Sequence, residues 1–236
     1  MADDAEAIVQ SSDFAALLTG SASAQPKMIP RAEDHLEPQA SILGGAWNIG
    51  KEDLALREAF DEMFARDIAV RVMVTPAFFP QYALALRRTT PASGTTYRIF
   101  ALTLTKWLQS IEPVTIDKSG RVKAPPLPWK QKLNRCETPI KDGLGERITE
   151  VWRKMLMQTR YSAQYAGGLD GEFYDFSMDV RGLGPISGKV WSPDRNSRTG
   201  RLVALAHEMY FICTKEKGAS MDNLEKLTAE LEHRLK

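Results

Sequence analysis

Cysteine and histidine are scarce in this 236-residue chain, which holds two of the first and three of the second. Cys136 and Cys213 are too few for a disulfide scaffold, and no Cys-x-x-Cys pair exists. Cys213 falls on the apolar stripe of a predicted helix and reads as a buried thiol; a bridge to Cys136 requires an oxidising compartment. His207-Glu208 begins a zinc-protease motif, but position 211 is Phe where the second imidazole must stand, so no metal site is expected. A net charge of +1 predicts no strong attraction of the whole molecule to nucleic acid or membrane. No apolar run is long enough to cross a bilayer. The acidic start Met1-Ala2-Asp3-Asp4 lacks the basic region of a signal peptide. A cytoplasmic location is therefore expected, or a periplasmic one if a leader has been removed.

Complete catalytic motifs are missing as well. Gly182-Leu183-Gly184-Pro185-Ile186-Ser187-Gly188-Lys189 fails as a P-loop, because Val190 stands where a hydroxyl must meet magnesium. It fails as a dinucleotide fingerprint because Ser187 replaces the third glycine and a strand follows instead of a helix. No cofactor is expected. No Gly-x-Ser-x-Gly elbow occurs, and Cys136 is a nucleophile only if a histidine folds beside it. In a strand, Glu172, Tyr174 and Phe176 share one face while Phe173, Asp175 and Ser177 share the other, which is a poor carboxylate dyad. No catalytic residue is assigned.

What is present is an ordinary globular composition, 43% hydrophobic and 26% charged. Residues 1–50 are acidic, rich in Ala and Ser and without sustained period: an arm, partly flexible. From Lys51 the pattern reads helix (52–66), then strands at 68–74, 82–86 and 95–105. Ser119-Gly120 turns a short hairpin, and the proline-rich stretch at 119–130 is the candidate internal boundary of a 51–236 domain. A second round follows: a helix from Glu146 to about Ala163, a hairpin of 173–178 with 186–191, a helix at 199–215 and a last helix capped by Ser220. Helix then strands, twice over, predicts an α+β fold: antiparallel sheet of hairpins covered on one side by helices, with a C-terminal helical pair.

Two surfaces draw attention. The stretch from Trp191 through Asp194, Arg195 and Arg198, with Tyr174 on the preceding strand, combines the aromatic and guanidinium groups that dominate binding hot spots. Trp129, Lys130 and Lys132, in a basic middle segment, would suit single-stranded nucleic acid.

The pattern Leu169-Asp170-Gly171-x-x-Tyr174-x-Phe176, then Gly188-x-x-Trp191-Ser192-Pro193 and Leu202-Val203-Ala204-Leu205, resembles one found in small uncharacterised bacterial proteins. The likeness covers the last third of the chain and carries over no site residues. It implies a bacterial origin and an accessory or inhibitor-like role. The leading expectation is a non-catalytic protein-binding module of the immunity-protein kind. The alternatives are a small hydrolase with dispersed catalytic residues and a single-stranded nucleic-acid binder.

Overall fold

A computed structural model describes residues 34–38, 51–92, 94–108, 115–116, 122–123, 132–162 and 170–236. The arm before Asp34, Trp129, Lys130 and most of the proline-rich connector lie outside the described residues. The elements, in chain order, are β1 (Glu37–Pro38), α1 (Lys51–Ala59), a 3₁₀ turn (Asp61–Phe64), β2 (Ile68–Pro76), β3 (Tyr82–Thr89), β4 (Thr96–Leu104), β5 (Thr115–Ile116), β6 (Val122–Lys123), β7 (Leu133–Ile140), α2 (Asp142–Met157), β8 (Glu172–Val180), β9 (Gly184–Trp191), α3 (Arg198–Thr214) and α4 (Met221–Arg234).

Seven strands form one antiparallel sheet in the order β1-β9-β8-β2-β3-β4-β7, while β5 and β6 pair separately. The fold is α+β, and strands from both sides of the proline-rich connector share the sheet. β2 lies at its centre, paired to β3 on one side and β8 on the other. Alternation along the strands divides the apolar side chains between two faces. Val70, Val72, Val74, Leu84, Leu86, Ile99, Tyr174, Phe176 and Val190 form the larger core with α2, α3 and α4. Within it Trp152 of α2 meets the Phe176 ring edge-on at 5.1 Å. On the opposite face Met73, Ala83, Ala85, Phe100, Leu102 and Leu104 pack with Ala55, Leu56, Phe60 and Met63 from α1 and the 3₁₀ turn.

Several details depart from simple periodicity. A bulge between Ile68 and Val70 moves Ile68 to the second face, so the expected run Ile68-Val70-Val72-Val74 does not share one side. β7 has no counterpart in the sequence reading. It is an edge strand in which Asn134, Arg135, Glu137 and Pro139 are exposed and only Ile140 is buried, so no apolar alternation shows; Pro139 has no N–H to leave open there. Residues 34–38, which fall in the predicted arm, belong to the domain. β1 extends the sheet beside β9, Leu36 is buried in the main core, and the Leu36 carbonyl accepts from the Arg160 N–H at 3.1 Å.

Cys213 is not the buried thiol expected. It is bonded to Cys136, which ties edge strand β7 to α3 across 77 residues of sequence. Three arginines of the basic middle pair within the fold: Arg135 with Glu62 (2.6 Å), Arg153 with Glu150 (2.7 Å) and Arg147 with Glu232 (2.7 Å). No helix among the described residues is long and apolar enough to cross a membrane.

Candidate functional site

The hairpin β8–β9 and the chain leaving it are built around one glycine. Gly171 has φ +145°, and a Cβ there would stand 2.4 Å from Ser192 Oγ and 2.7 Å from Trp191 Nε1. Only glycine fits both the backbone and the space. With the turn closed, the Glu172 N–H donates to Ser192 Oγ (2.9 Å) and the Ser192 N–H donates to the Glu172 carbonyl (3.0 Å). Trp191 is then half-buried on the second face, directly opposite Phe173 in register.

Most polar groups after Trp191 serve the start of α3. The Asp194 carboxylate accepts from the Asn196 N–H (2.7 Å), and its carbonyl accepts from the Ser197 hydroxyl (2.6 Å). Ser197 Oγ in turn accepts from the Gly200 N–H (2.8 Å), as an N-cap does. Asp194 and Arg195 remain exposed. Arg198, expected as a contact residue, turns inward: Nη1 donates to Gln158 (3.0 Å) and Nε lies 3.4 Å from Asp34. Asp34 also accepts from the Thr199 N–H (3.1 Å), so the segment before β1 helps to hold the helix start. Tyr174, expected at the surface, is 3% exposed, because its even-numbered position in β8 faces the helices.

Tyr174 instead centres a polar cluster between β8 and α3. Its hydroxyl donates to the Glu172 carboxylate and lies 3.0 Å from His207 Nε2. A phenol has one proton to give, so Nε2 carries the imidazole proton and donates to the phenol oxygen. Burial pushes the Tyr174 phenol well above its usual range, with the Glu172 charge adding to the effect. Burial also lowers the His207 imidazole, against the opposing pull of Glu172. A neutral imidazole, a protonated phenol and a carboxylate thus make a satisfied chain that pins strand to helix. Beside it the Tyr82 and Tyr210 rings meet at 4.3 Å, tilted by 33°, and the Tyr210 and Thr103 hydroxyls are hydrogen-bonded at 2.9 Å. Sequence alone left His207 without a partner, because Tyr174 lies 33 positions away on another element. Cys136 is held in the disulfide and offers no thiolate. Among the described residues, no three His, Cys, Asp or Glu side chains are placed to hold a metal.

The feature that the sequence reading missed lies at the same end of the sheet. Phe78 and Phe79, in the β2–β3 loop, are 64% and 67% exposed; Phe173 and Trp107 are 42% and 38% exposed. They sit on three neighbouring segments that hydrogen bonds tie together. The Ala77 N–H donates to the Gly171 carbonyl (3.0 Å). The Gln81 amide both accepts from the Leu108 N–H and donates to its carbonyl, each at 2.9 Å. The cue available was Phe78-Phe79 itself, an aromatic pair held between Pro76 and Pro80. Lys106, Lys132 and Asp170 supply exposed charges on the same loops and strand ends. A search of family profiles, curated proteins and solved structures returned no match to this chain.

Proposed function

We propose that this chain is a non-catalytic protein-binding module, of the inhibitor or immunity type in a bacterium, that grips its partner with the aromatic end of its sheet. The observation that carries the reading is the exposure of Phe78 and Phe79 beside Trp107 and Phe173 on loops cross-tied by hydrogen bonds. Exposed phenyl rings cost free energy in water, and a pre-ordered loop loses little entropy on docking. Aromatic anchors of this kind carry most of the energy in protein interfaces. Trp191 supports Phe173 from the paired strand, and exposed Asp194 and Arg195 extend the surface along the following loop. Tyr174 and Arg198 contribute by holding the framework, through His207 and Asp34 respectively. The Cys136–Cys213 bond supports a working compartment that is oxidising, such as a periplasm, over a cytoplasmic one.

The test is a purified complex. Wild type and the double variant Phe78→Ser, Phe79→Ser are used to capture partners, and the captured protein is then purified and titrated by calorimetry. The reading requires a stoichiometric complex with wild type and at least a ~100-fold weaker one with the variant, about 2.7 kcal/mol for two anchors. Equal affinity of both for every captured protein would sink it.

A further inference from the structure

We infer that this chain forms a two-fold dimer in which β7 pairs antiparallel with β7 of a second copy, joining the two sheets edge to edge. The inference goes beyond the partner-binding reading and does not rest on it. Among the described residues β7 pairs with β4 alone. The ladder tells which way its backbone groups point. The Leu104 N–H donates to the Gln81 carbonyl, toward β3, whereas the next N–H, that of Thr105, donates to the Lys132 carbonyl at 3.0 Å. Thr105 and Lys132 continue the unbroken register in which Leu104 faces Leu133 and Tyr97 faces Ile140. Bonded positions alternate along an antiparallel pair. Even-numbered residues of β7 therefore bond to β4, and the N–H and C=O groups of Leu133, Arg135 and Glu137 point out of the sheet. Pro139 has the same parity, so its missing N–H takes nothing from the bonds to β4, and its carbonyl is aimed outward.

The side chains decide the occupant. Edges blunted against pairing carry Lys or charge of one sign. β7 holds no Lys, and its two charges are opposite in sign and two residues apart. With a two-fold axis at Cys136, Arg135 faces the second copy's Glu137, and Glu137 faces the second copy's Arg135. Each of these pairs exchanges both of its outward backbone bonds. The same register sets Leu133 against Pro139 and Asn134 against Thr138. Moving the axis to residue 135 would set Arg against Arg, and moving it to 137 would set Glu against Glu, both unfavourable. Arg135 and Glu137 also meet Glu62 and Arg98 of their own chain, at 2.6 and 2.9 Å. The charges thus select the register, while the open backbone groups supply the attraction. The contact is isologous, the commonest kind in soluble homo-oligomers. Because β7 starts at the aromatic end, beside Thr105, the antiparallel dimer points its two aromatic ends in opposite directions.

Sedimentation equilibrium from about 1 μM to about 1 mM tests the dimer on wild type, Arg135→Glu, Glu137→Arg and their equimolar mixture. Wild type should dimerise reversibly within that range. By symmetry each single variant turns two attractive pairs into two repulsive ones, and should dimerise roughly 30-fold more weakly. The mixture should recover wild-type affinity, since every pair across its axis joins Glu to Arg. Hydrogen exchange on wild type reads the register directly. The amides of Arg135 and Glu137 should slow only in the concentrated sample, whereas those of Asn134, Cys136 and Thr138 should be slow in both. If a charge variant fails to fold, exchange on wild type carries the test alone. A monomer throughout, a dimer indifferent to both substitutions, or folded variants that do not recover on mixing would overturn the inference. Slow exchange at Arg135 and Glu137 in the dilute monomer would also overturn it, in favour of a segment of the same chain on that edge.

Discussion

Reduction of the Cys136–Cys213 bond should remove a large part of this protein's stability. The bond closes a loop of 77 residues. Loop-closure entropy for that length gives a stabilisation of about 4.5 kcal/mol at 25 °C, acting through the unfolded chain. Residual structure in the unfolded state trims such values, and measured bridges cluster at about 2–4 kcal/mol. Among the described residues β7 pairs with β4 alone, and the bond ties it covalently to α3 as well. The assay is urea unfolding by fluorescence, with and without reductant, on wild type and on Cys136→Ala, Cys213→Ala. With a slope of roughly 2.5 kcal/mol per molar urea, the midpoint should fall by about 1–2 M in reductant. The double variant should sit near the reduced wild type and ignore reductant. Thiol titration of unreduced, denatured protein should find no free thiol. Two free thiols, or a midpoint indifferent to reductant, would refute the bridge as a stabilising element.

Other substitutions test the packing and the hydrogen-bonded cluster. Gly171→Ala should cost about 3 kcal/mol, because its φ of +145° disfavours any side chain and the new Cβ meets Ser192 Oγ and Trp191 Nε1; an unchanged melting temperature would contradict the turn described. Gly145→Ala should destabilise despite alanine's better helix propensity of about 1 kcal/mol, since its Cβ would lie 2.3 Å from Tyr97 Cγ; a stabilised variant would show that the ring moves freely. Phe78→Ser, Phe79→Ser should leave unfolding free energy within about 0.5 kcal/mol of wild type, because exposed rings support no core; a larger loss would place them in one. The depressed pKa of His207 gives stability that is complete above the unfolded value near 6.5 and is lost as pH falls through the lower folded value, because the unfolded chain binds the proton first. About a third of that side chain reaches solvent, so the loss is modest; His207→Gln should flatten this part of the stability–pH curve.

The parts of the fold legible in sequence were those whose burial leaves a period. Tyr82, Leu84 and Leu86 alternate because one face of β3 meets the helices, and Ser220 announces α4 by accepting from the Asn223 N–H at 3.1 Å. β7 was illegible because an edge strand with charged outward side chains has no apolar rhythm to display. The first turn of α2 was hidden by Gly143 and Gly145, which weaken helix propensity while Gly145 admits the Tyr97 ring. The site suffered from a different blindness. Trp191 and Arg198 look alike as candidate anchors in a sequence, yet Arg198 spends its donors on Asp34 and Gln158, 164 and 40 positions away.

The central strand has a consequence for how the chain is made. β2 pairs with β3 almost at once, but its other neighbour, β8, begins about a hundred residues later. At synthesis rates of roughly 5–20 residues per second, one edge of Ile68–Pro76 waits about 5–20 s for its partner. That strand reads Ile-Ala-Val-Arg-Val-Met-Val-Thr-Pro, an apolar, β-branched run with a single charge. Such a segment with an open edge is a template for pairing between nascent chains. Translation thus presents an adhesive strand well before its second neighbour exists, and for that interval its open edge is available to other chains.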